Sequence, residues 1–185
     1  SPMEPDAPWL YQIQLKLLDE TGSVVDTHRS PCRLGSGTFR SRQSRTARYV
    51  FLNDRPIRLR GANTMGFEQQ DVMRGDDAQL IDDILLAKLC HMNFWRITQR
   101  PVQQKVYDFC DRLGLMVQTD LPLFSCLRRR QFCEAVRQAE EMERHIRSHA
   151  CCILSTYINE PFPNAANHPN LNLDRTELER LFCRC

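Results

Sequence analysis

A β-sheet region followed by an α/β region is the fold class this sequence predicts, and three observations predict it. Before Arg60, short runs alternate apolar and polar residues and are separated by turn residues. After Arg60, short apolar runs alternate with stretches whose apolar residues recur at helical spacing. Strand and helix then take turns, which implies right-handed βαβ units and a parallel sheet.

Taken in order, Leu10-Tyr11-Gln12-Ile13-Gln14-Leu15-Lys16-Leu17 alternates, Asp19-Glu20-Thr21-Gly22 has turn chemistry, and Val24-Val25 resumes the extended pattern. This predicts a hairpin of an antiparallel sheet. A Gly- and Arg-rich connection over 33–45 leads to Tyr49-Val50-Phe51-Leu52, the turn Asn53-Asp54-Arg55-Pro56, and Ile57-Arg58-Leu59-Arg60, a second hairpin. Gly35-Ser36-Gly37 is not read as a phosphate loop, because no helix pattern follows it and the later glycine is missing. Asp76 and Asp77 suit a helix start, with Leu80, Ile81, Ile84, Leu85 and Leu89 at helical spacing, and Phe94-Trp95-Arg96-Ile97 reads as a strand. A helix over 102–113 closes at Gly114, and Leu115-Met116-Val117-Gln118 forms the next strand. A helix over 134–148 precedes a strand at 152–158, and a last helix occupies about 174–182.

At 185 residues the chain is long enough for one ordinary domain or parts of two. A formal charge of +2 gives no electrostatic case for nucleic acid or an anionic membrane. Arg128-Arg129-Arg130 reads as the solvated start of a helix. No stretch is apolar for long enough to span a bilayer, and Ser1-Pro2-Met3-Glu4-Pro5-Asp6 has no signal-peptide character. The nine cysteines are odd in number, include no CxxC pair, and occur in a chain without an N-x-Ser/Thr acceptor. Reduced thiols filling core space, Cys90 and Cys110 among them, and a cytoplasmic location are therefore expected.

Polar residues gather at the carboxyl ends of the strands expected after Arg60. Asn63 follows the first, Arg96, Thr98 and Gln99 stand at the second, Asp120 at the third, and Asn159 and Glu160 at the fourth. In a β/α barrel that edge is the active face. The run Ile153-Leu154-Ser155-Thr156-Tyr157-Ile158 delivers Asn159-Glu160-Pro161 to such a strand end, so Glu160 is a candidate proton donor. A carboxyl group on a rigid strand end can be aimed, and half-buried surroundings hold its proton toward neutrality. His145 and His149 lie one helical turn apart as in zinc proteases, but Ile146 stands where the glutamate would be. They are read as cationic side chains at a helix C-terminus, with no metal expected. Ser125, Ser148 and Ser155 lack a Gly-x-Ser-x-Gly setting, and Trp9 and Trp95 are read as packing residues.

Several motifs together carry a family resemblance. They are Pro8-Trp9-Leu10-Tyr11 with Gly22 and Asp26, the segment from Leu52-Asn53-Asp54-Arg55-Pro56 through Arg60-Gly61-Ala62-Asn63, Asn93-Phe94-Trp95-Arg96, Tyr107-Asp108-Phe109-Cys110-Asp111-Arg112-Leu113-Gly114-Leu115, and Asn159-Glu160. In this order they resemble glycoside hydrolase family 2, which includes β-galactosidases, β-glucuronidases and β-mannosidases. The resemblance covers nearly the whole chain. It implies a β-sandwich portion followed by a partial (β/α)8 TIM barrel of about four βα units. Residues 1–45 would be the C-terminal part of an immunoglobulin-like sandwich domain, and residues 46–185 the N-terminal half of the catalytic barrel.

For mechanism, the resemblance implies retaining exo-hydrolysis of a terminal β-linked sugar by two carboxylates, with no organic cofactor. Glu160 matches the family's acid/base, Asn159 the amide that contacts the sugar 2-hydroxyl, and Arg96 the arginine that organises the carboxylates. Asp120 stands where many members have a supporting glutamate, and Asn63 sits close to the first-strand position. The chain departs from the pattern in three places. Arg96-Ile97-Thr98-Gln99 replaces Arg-x-Ser-His, so Gln99 offers an amide where a histidine is usual. Ala150 replaces a proline, and Thr156-Tyr157-Ile158 replaces a segment with a tryptophan. The family's nucleophilic glutamate comes later than residue 185, so the 185 residues alone are expected to be inactive and to need the remainder of the barrel or a partner chain. The other reading is a noncatalytic or degenerate carbohydrate-binding or assembly module.

Overall fold

The structure is a computed structural model, described over residues 8, 10–34, 39–43, 48–124 and 131–159. It consists of an antiparallel, sandwich-like β region followed by a partial parallel β/α barrel.

The antiparallel region begins with strands β1 (Tyr11–Leu18) and β2 (Val24–Leu34), paired as a two-stranded sheet. Their turn is built by Asp19, whose carboxylate accepts the backbone N–H of Thr21 at 2.8 Å and of Ser23 at 2.9 Å. Gly22 supplies the positive φ of 83° that the turn requires. A three-stranded antiparallel sheet follows, with β3 (Phe39–Gln43), β4 (Arg48–Leu52) and β5 (Arg55–Ile57). Part of the connection expected over 33–45 is therefore strand: β2 runs on to Leu34, and β3 lies within it. The Arg-rich segment lacks apolar alternation and is held extended by its backbone ladder to β4. Asn53 and Asp54 adopt φ of 52° and 65°, the left-handed pair of a two-residue hairpin turn. The second hairpin ends at Ile57, short of the expected Arg60, because Asn93 captures the backbone beyond it. Its side chain accepts Arg60 N–H at 2.8 Å and donates to the Arg58 carbonyl at 2.9 Å.

That capture turns the chain into the parallel sheet, whose order is β6 (Gly61–Thr64), β7 (Phe94–Ile97), β8 (Met116–Asp120) and β9 (Cys152–Thr156). Helices α1 (Phe67–Arg74) and α2 (Asp77–Leu89) connect β6 to β7, α3 (Gln104–Leu113) connects β7 to β8, and α4 (Phe132–Ile146) lies between β8 and β9. Gly61 is required by proximity, since a Cβ there would fall 1.7 Å from the Phe94 carbonyl oxygen. Trp95 and Ile97 point to the helix side and pack with Leu80, Ile84, Val106 and Tyr107 in the core. Trp95 is thus a packing residue, edge-on to Phe67 at 5.6 Å.

Helix α1 has no counterpart in the sequence reading. It starts at Gly66 (φ 97°) without a side-chain cap, and its buried residues are Glu68 and Asp71 rather than an apolar stripe. By contrast α2 starts where expected, with the Asp76 carboxylate accepting Gln79 N–H at 3.1 Å. Cys110 and Cys151 are buried free thiols, but Cys90 and Cys133 are exposed, so core filling explains only some of the cysteines. Among the described residues no helix is long and apolar enough to cross a membrane. Trp9, Gly35-Ser36-Gly37, Ser125, Arg128-Arg129-Arg130, Glu160 and the helix expected at 174–182 lie outside the described residues.

His145 and His149 serve the packing of α3, α4 and β9. The Nε2 of His145 lies 2.8 Å from the Val102 carbonyl, and its Nδ1 faces the Gln104 amide nitrogen at 3.0 Å, so both ring nitrogens are engaged. With that nitrogen also given to the His145 carbonyl, Gln104 turns its Oε1 to His149 Nε2 at 2.5 Å. His149 Nδ1 meets Asp111 at 2.7 Å, and the other Asp111 oxygen accepts Cys151 N–H at 2.7 Å. His145 thus stands in the last turn of α4 as expected, whereas His149 lies beyond the helix, buried in a hydrogen-bonded staple. Asp108, Asp111 and His149 offer ligand atoms within 4.8 Å of one another, but both ring nitrogens of His149 are already engaged.

Candidate functional site

The pleat of the parallel sheet sends alternate residues to opposite faces. In β7, Trp95 and Ile97 take the helix side, which leaves Arg96 on the other face, in register with Asn63 of β6 and Gln118 of β8. Asp120 ends β8 on that same face, two residues beyond Gln118. Asn159 arrives after β9, its backbone N–H bound to the Leu123 carbonyl at 2.8 Å and bridged in parallel to Phe124.

These side chains form one cluster at the carboxyl ends of β7, β8 and β9. Arg96 Nη2 donates to Asp120 Oδ2 at 2.7 Å, and Nε contacts both carboxylate oxygens at 3.2 and 3.1 Å. The same Nη2 donates to Asn159 Oδ1 at 2.7 Å. Asp120 is fully buried, and a carboxylate there is tolerable only because the guanidinium and the Gln99 backbone N–H, at 3.2 Å, meet it. The Arg96 side chain keeps 23% of its surface exposed, so the cluster reaches the open face.

The structure therefore brings together Arg96, Asp120 and Asn159. Gln99 joins through its backbone, held at φ 66°, instead of through its side-chain amide. Asn63 neighbours Arg96 in register, is exposed, and also lines a second space. That space is a cavity of about 550 Å³ on the flank of β6, walled by Phe67, Asp71, Asp83, Leu86 and Trp95 among others. Glu160, one residue beyond Asn159, lies outside the described residues.

Sequence reasoning missed three contributors. Gln118 Nε2 donates to Thr156 Oγ1 at 2.5 Å and approaches Asp120 at 3.5 Å, tying β8 to β9 beneath the cluster. Its position two residues before Asp120 is the signal that would have placed it on this face. Thr64, buried at the end of β6, puts Oγ1 3.3 Å from the Arg96 carbonyl. Glu68 is buried behind Thr64, and burial pushes its carboxyl above the usual range, with hydrogen bonds from backbone N–H groups and Thr64 and the charge of Arg100 opposing. Nothing in its local sequence distinguishes it from a solvated helix glutamate.

Comparison with known proteins bears on this arrangement. Residues 45–173 match the model of the glycosyl hydrolases family 2 TIM barrel domain. A β-galactosidase of Aeromonas hydrophila is 31% identical over 115 residues, covering 60% of this chain and 10% of that protein. A β-glucuronidase of Sus scrofa is 26% identical over 163 residues, covering 83% and 24%. Among solved structures, β-glucuronidase 2 of Bacteroides uniformis superposes with a TM-score of 0.74 at 23% identity, covering 98% of this chain and 21% of that one. A β-glucuronidase of Ruminococcus gnavus gives 0.72 at 20% identity, covering 99% and 30%. The chain thus spans between a tenth and a quarter of the length of these curated relatives. With the family model extending across both the parallel strands and the cluster at their ends, this chain belongs to glycosyl hydrolases family 2.

Proposed function

We propose that the chain is part of a retaining exo-glycosidase that cleaves a terminal β-linked sugar, with Glu160 as its acid/base. The observation that carries this reading is the Arg96–Asp120–Asn159 cluster, three side chains from three successive strand ends joined by hydrogen bonds on one edge of a parallel sheet. That edge is where barrel enzymes assemble their sites. Asp120 aims Arg96, Arg96 fixes the Oδ1 of Asn159, and the next residue in the chain is Glu160. In this reading Glu160 protonates the leaving oxygen and then deprotonates the water that releases the sugar, while the Asn159 amide binds the 2-hydroxyl. Asn63 and Gln99 contribute to the sugar-facing wall.

Residues 1–45 are the end of an immunoglobulin-like domain and 46–185 the first half of the barrel, within a longer polypeptide whose later strands carry the nucleophilic carboxylate. A retaining site needs that second carboxylate roughly 5 Å from the first. The 185-residue chain alone is then expected to hydrolyse no aryl β-glycoside. The test uses the full-length protein on a panel of aryl β-galactosides, β-glucuronides and β-mannosides. Hydrolysis of at least one, lost on Glu160→Gln, is the expected result. A full-length protein that binds sugars without cleaving any member of the panel overturns the enzymatic reading in favour of a binding module.

A further inference from the structure

Glu68 is 1% exposed, and its Oε2 is buried without a hydrogen-bond partner. Thr64 Oγ1 stands 3.1 Å from Glu68 Oε1 and 3.3 Å from the Arg96 carbonyl oxygen. The hydroxyl has one proton to offer these two acceptors. Thr64 Oγ1 donates to Glu68 Oε1, the nearer acceptor, and lies within reach of the Arg96 carbonyl. Burial pushes the Glu68 carboxyl up, since an ionised carboxylate would leave a desolvated oxygen uncompensated.

The groups facing Glu68 come from four connected stretches of chain. Thr64 ends β6, and the N–H groups at the start of α1 lie beside the carboxyl. Arg100 reaches over from the β7–α3 connection, and Gly66 makes room for it, because a Cβ there would fall 2.5 Å from Arg100 Nη2. Cys110 approaches from α3. Thr98 Oγ1 also reaches the Arg96 carbonyl, at 3.4 Å, so the peptide after Arg96 is gripped from both connections. The next residue is Gln99, whose left-handed backbone delivers its N–H to Asp120.

We propose that Glu68 is a positioning residue of the glycosidase site: bonded to Thr64 and set against Arg100, it holds the β6–α1 and β7–α3 connections together and so fixes the Arg96 peptide and the Gln99 turn on Asp120. This role rests on the retaining-glycosidase reading of the cluster.

In the full-length protein, Glu68→Ala is expected to lower kcat toward an activated aryl β-glycoside by ten- to a hundredfold, with KM within about threefold, as small displacements of catalytic groups do. Glu68→Gln, which keeps both a donor and an acceptor, is expected to restore kcat to within about threefold of wild type. Should Glu68→Ala fail to fold, the exposed Arg100→Ala supplies the second arm and is expected to lower kcat in the same way. Unchanged kcat in Glu68→Ala, or in Arg100→Ala, overturns the proposal. So does a Glu68→Gln variant as impaired as the alanine. Hydrogen exchange over residues 97–100 reads the clamp without activity: faster exchange in the alanine variants and wild-type exchange in Glu68→Gln support it, and unchanged exchange overturns it. Altered exchange in a protein that cleaves nothing would remove the glycosidase reading and leave the clamp.

Discussion

Asp120→Asn keeps the shape of the side chain and removes its charge. In the native cluster the fully buried Asp120 carboxylate meets Arg96 Nε, Arg96 Nη2 and Gln99 N–H. An asparagine offers one acceptor oxygen in place of two and sets an NH2 against donors, so at least one N–H is left facing another. Breaking one half of a buried ion pair costs roughly 3–5 kcal/mol. Arg96 is 23% exposed and recovers some hydration, which puts the loss at the low end, about 3 kcal/mol. For a domain of this size each kcal/mol moves the melting temperature by about 2–4 °C, so the barrel transition should fall by roughly 6–12 °C. Differential scanning calorimetry of the full-length protein reads this directly, with Arg96→Gln and the double variant completing the cycle. The double variant should be less destabilised than the sum of the singles by more than about 1 kcal/mol, because the pair acts as a unit. A shift below about 2 °C in Asp120→Asn, or additive singles, would refute the inference that Asp120 organises Arg96.

Two other outcomes follow from the geometry. Gly61→Ala places a methyl 1.7 Å from the Phe94 carbonyl, a backbone atom that cannot swing aside, so β6 must part from β7; thermal melts should show a loss of about 2–4 kcal/mol, and a loss under 1 kcal/mol would contradict the close approach. Asp71 has its carboxyl pushed above the usual range by burial, with the exposed Arg74 opposing and Asp83 reinforcing the rise. The native state therefore binds its proton more tightly than the unfolded chain, so stability is complete below the ordinary value of 3.8 and declines as pH rises through the raised one. Asp71→Asn removes that decline, and the melting temperature of the variant minus that of wild type should increase between pH 4 and pH 7; a difference that is constant or falls would contradict the assignment.

How much of this was legible in the sequence varied with the physics of each element. Phe94-Trp95-Arg96-Ile97 announced β7, because a short apolar run between helix patterns is a local signal, while its two faces came only with the structure. The Asn53-Asp54 turn was equally plain, since few residues tolerate its left-handed backbone. β3 was hidden because its partner strand holds it, and α1 because its buried positions are Glu68 and Asp71. At the site, the polar strand-end residues Arg96, Asp120 and Asn159 were readable from position alone, and the structure joins them. Gln99 was readable as a residue but not in its manner of contact, because a backbone N–H presented by a positive φ leaves no mark in residue type. The staple made by His145 and His149 was not legible because its partners, Gln104 and Asp111, are far away in sequence.

The central proposal is that Glu160, next in the chain after Asn159, is the acid/base of a retaining glycosidase. Azide rescue of Glu160→Ala in the full-length protein tests it most directly. With a dinitrophenyl β-glycoside the leaving group needs no acid, so the variant should form its glycosyl intermediate and stall for want of a base. Azide, which needs no base, should then restore turnover and give a glycosyl azide of retained β configuration. A Glu160→Ala enzyme with wild-type turnover, or one that azide leaves stalled, would contradict the account.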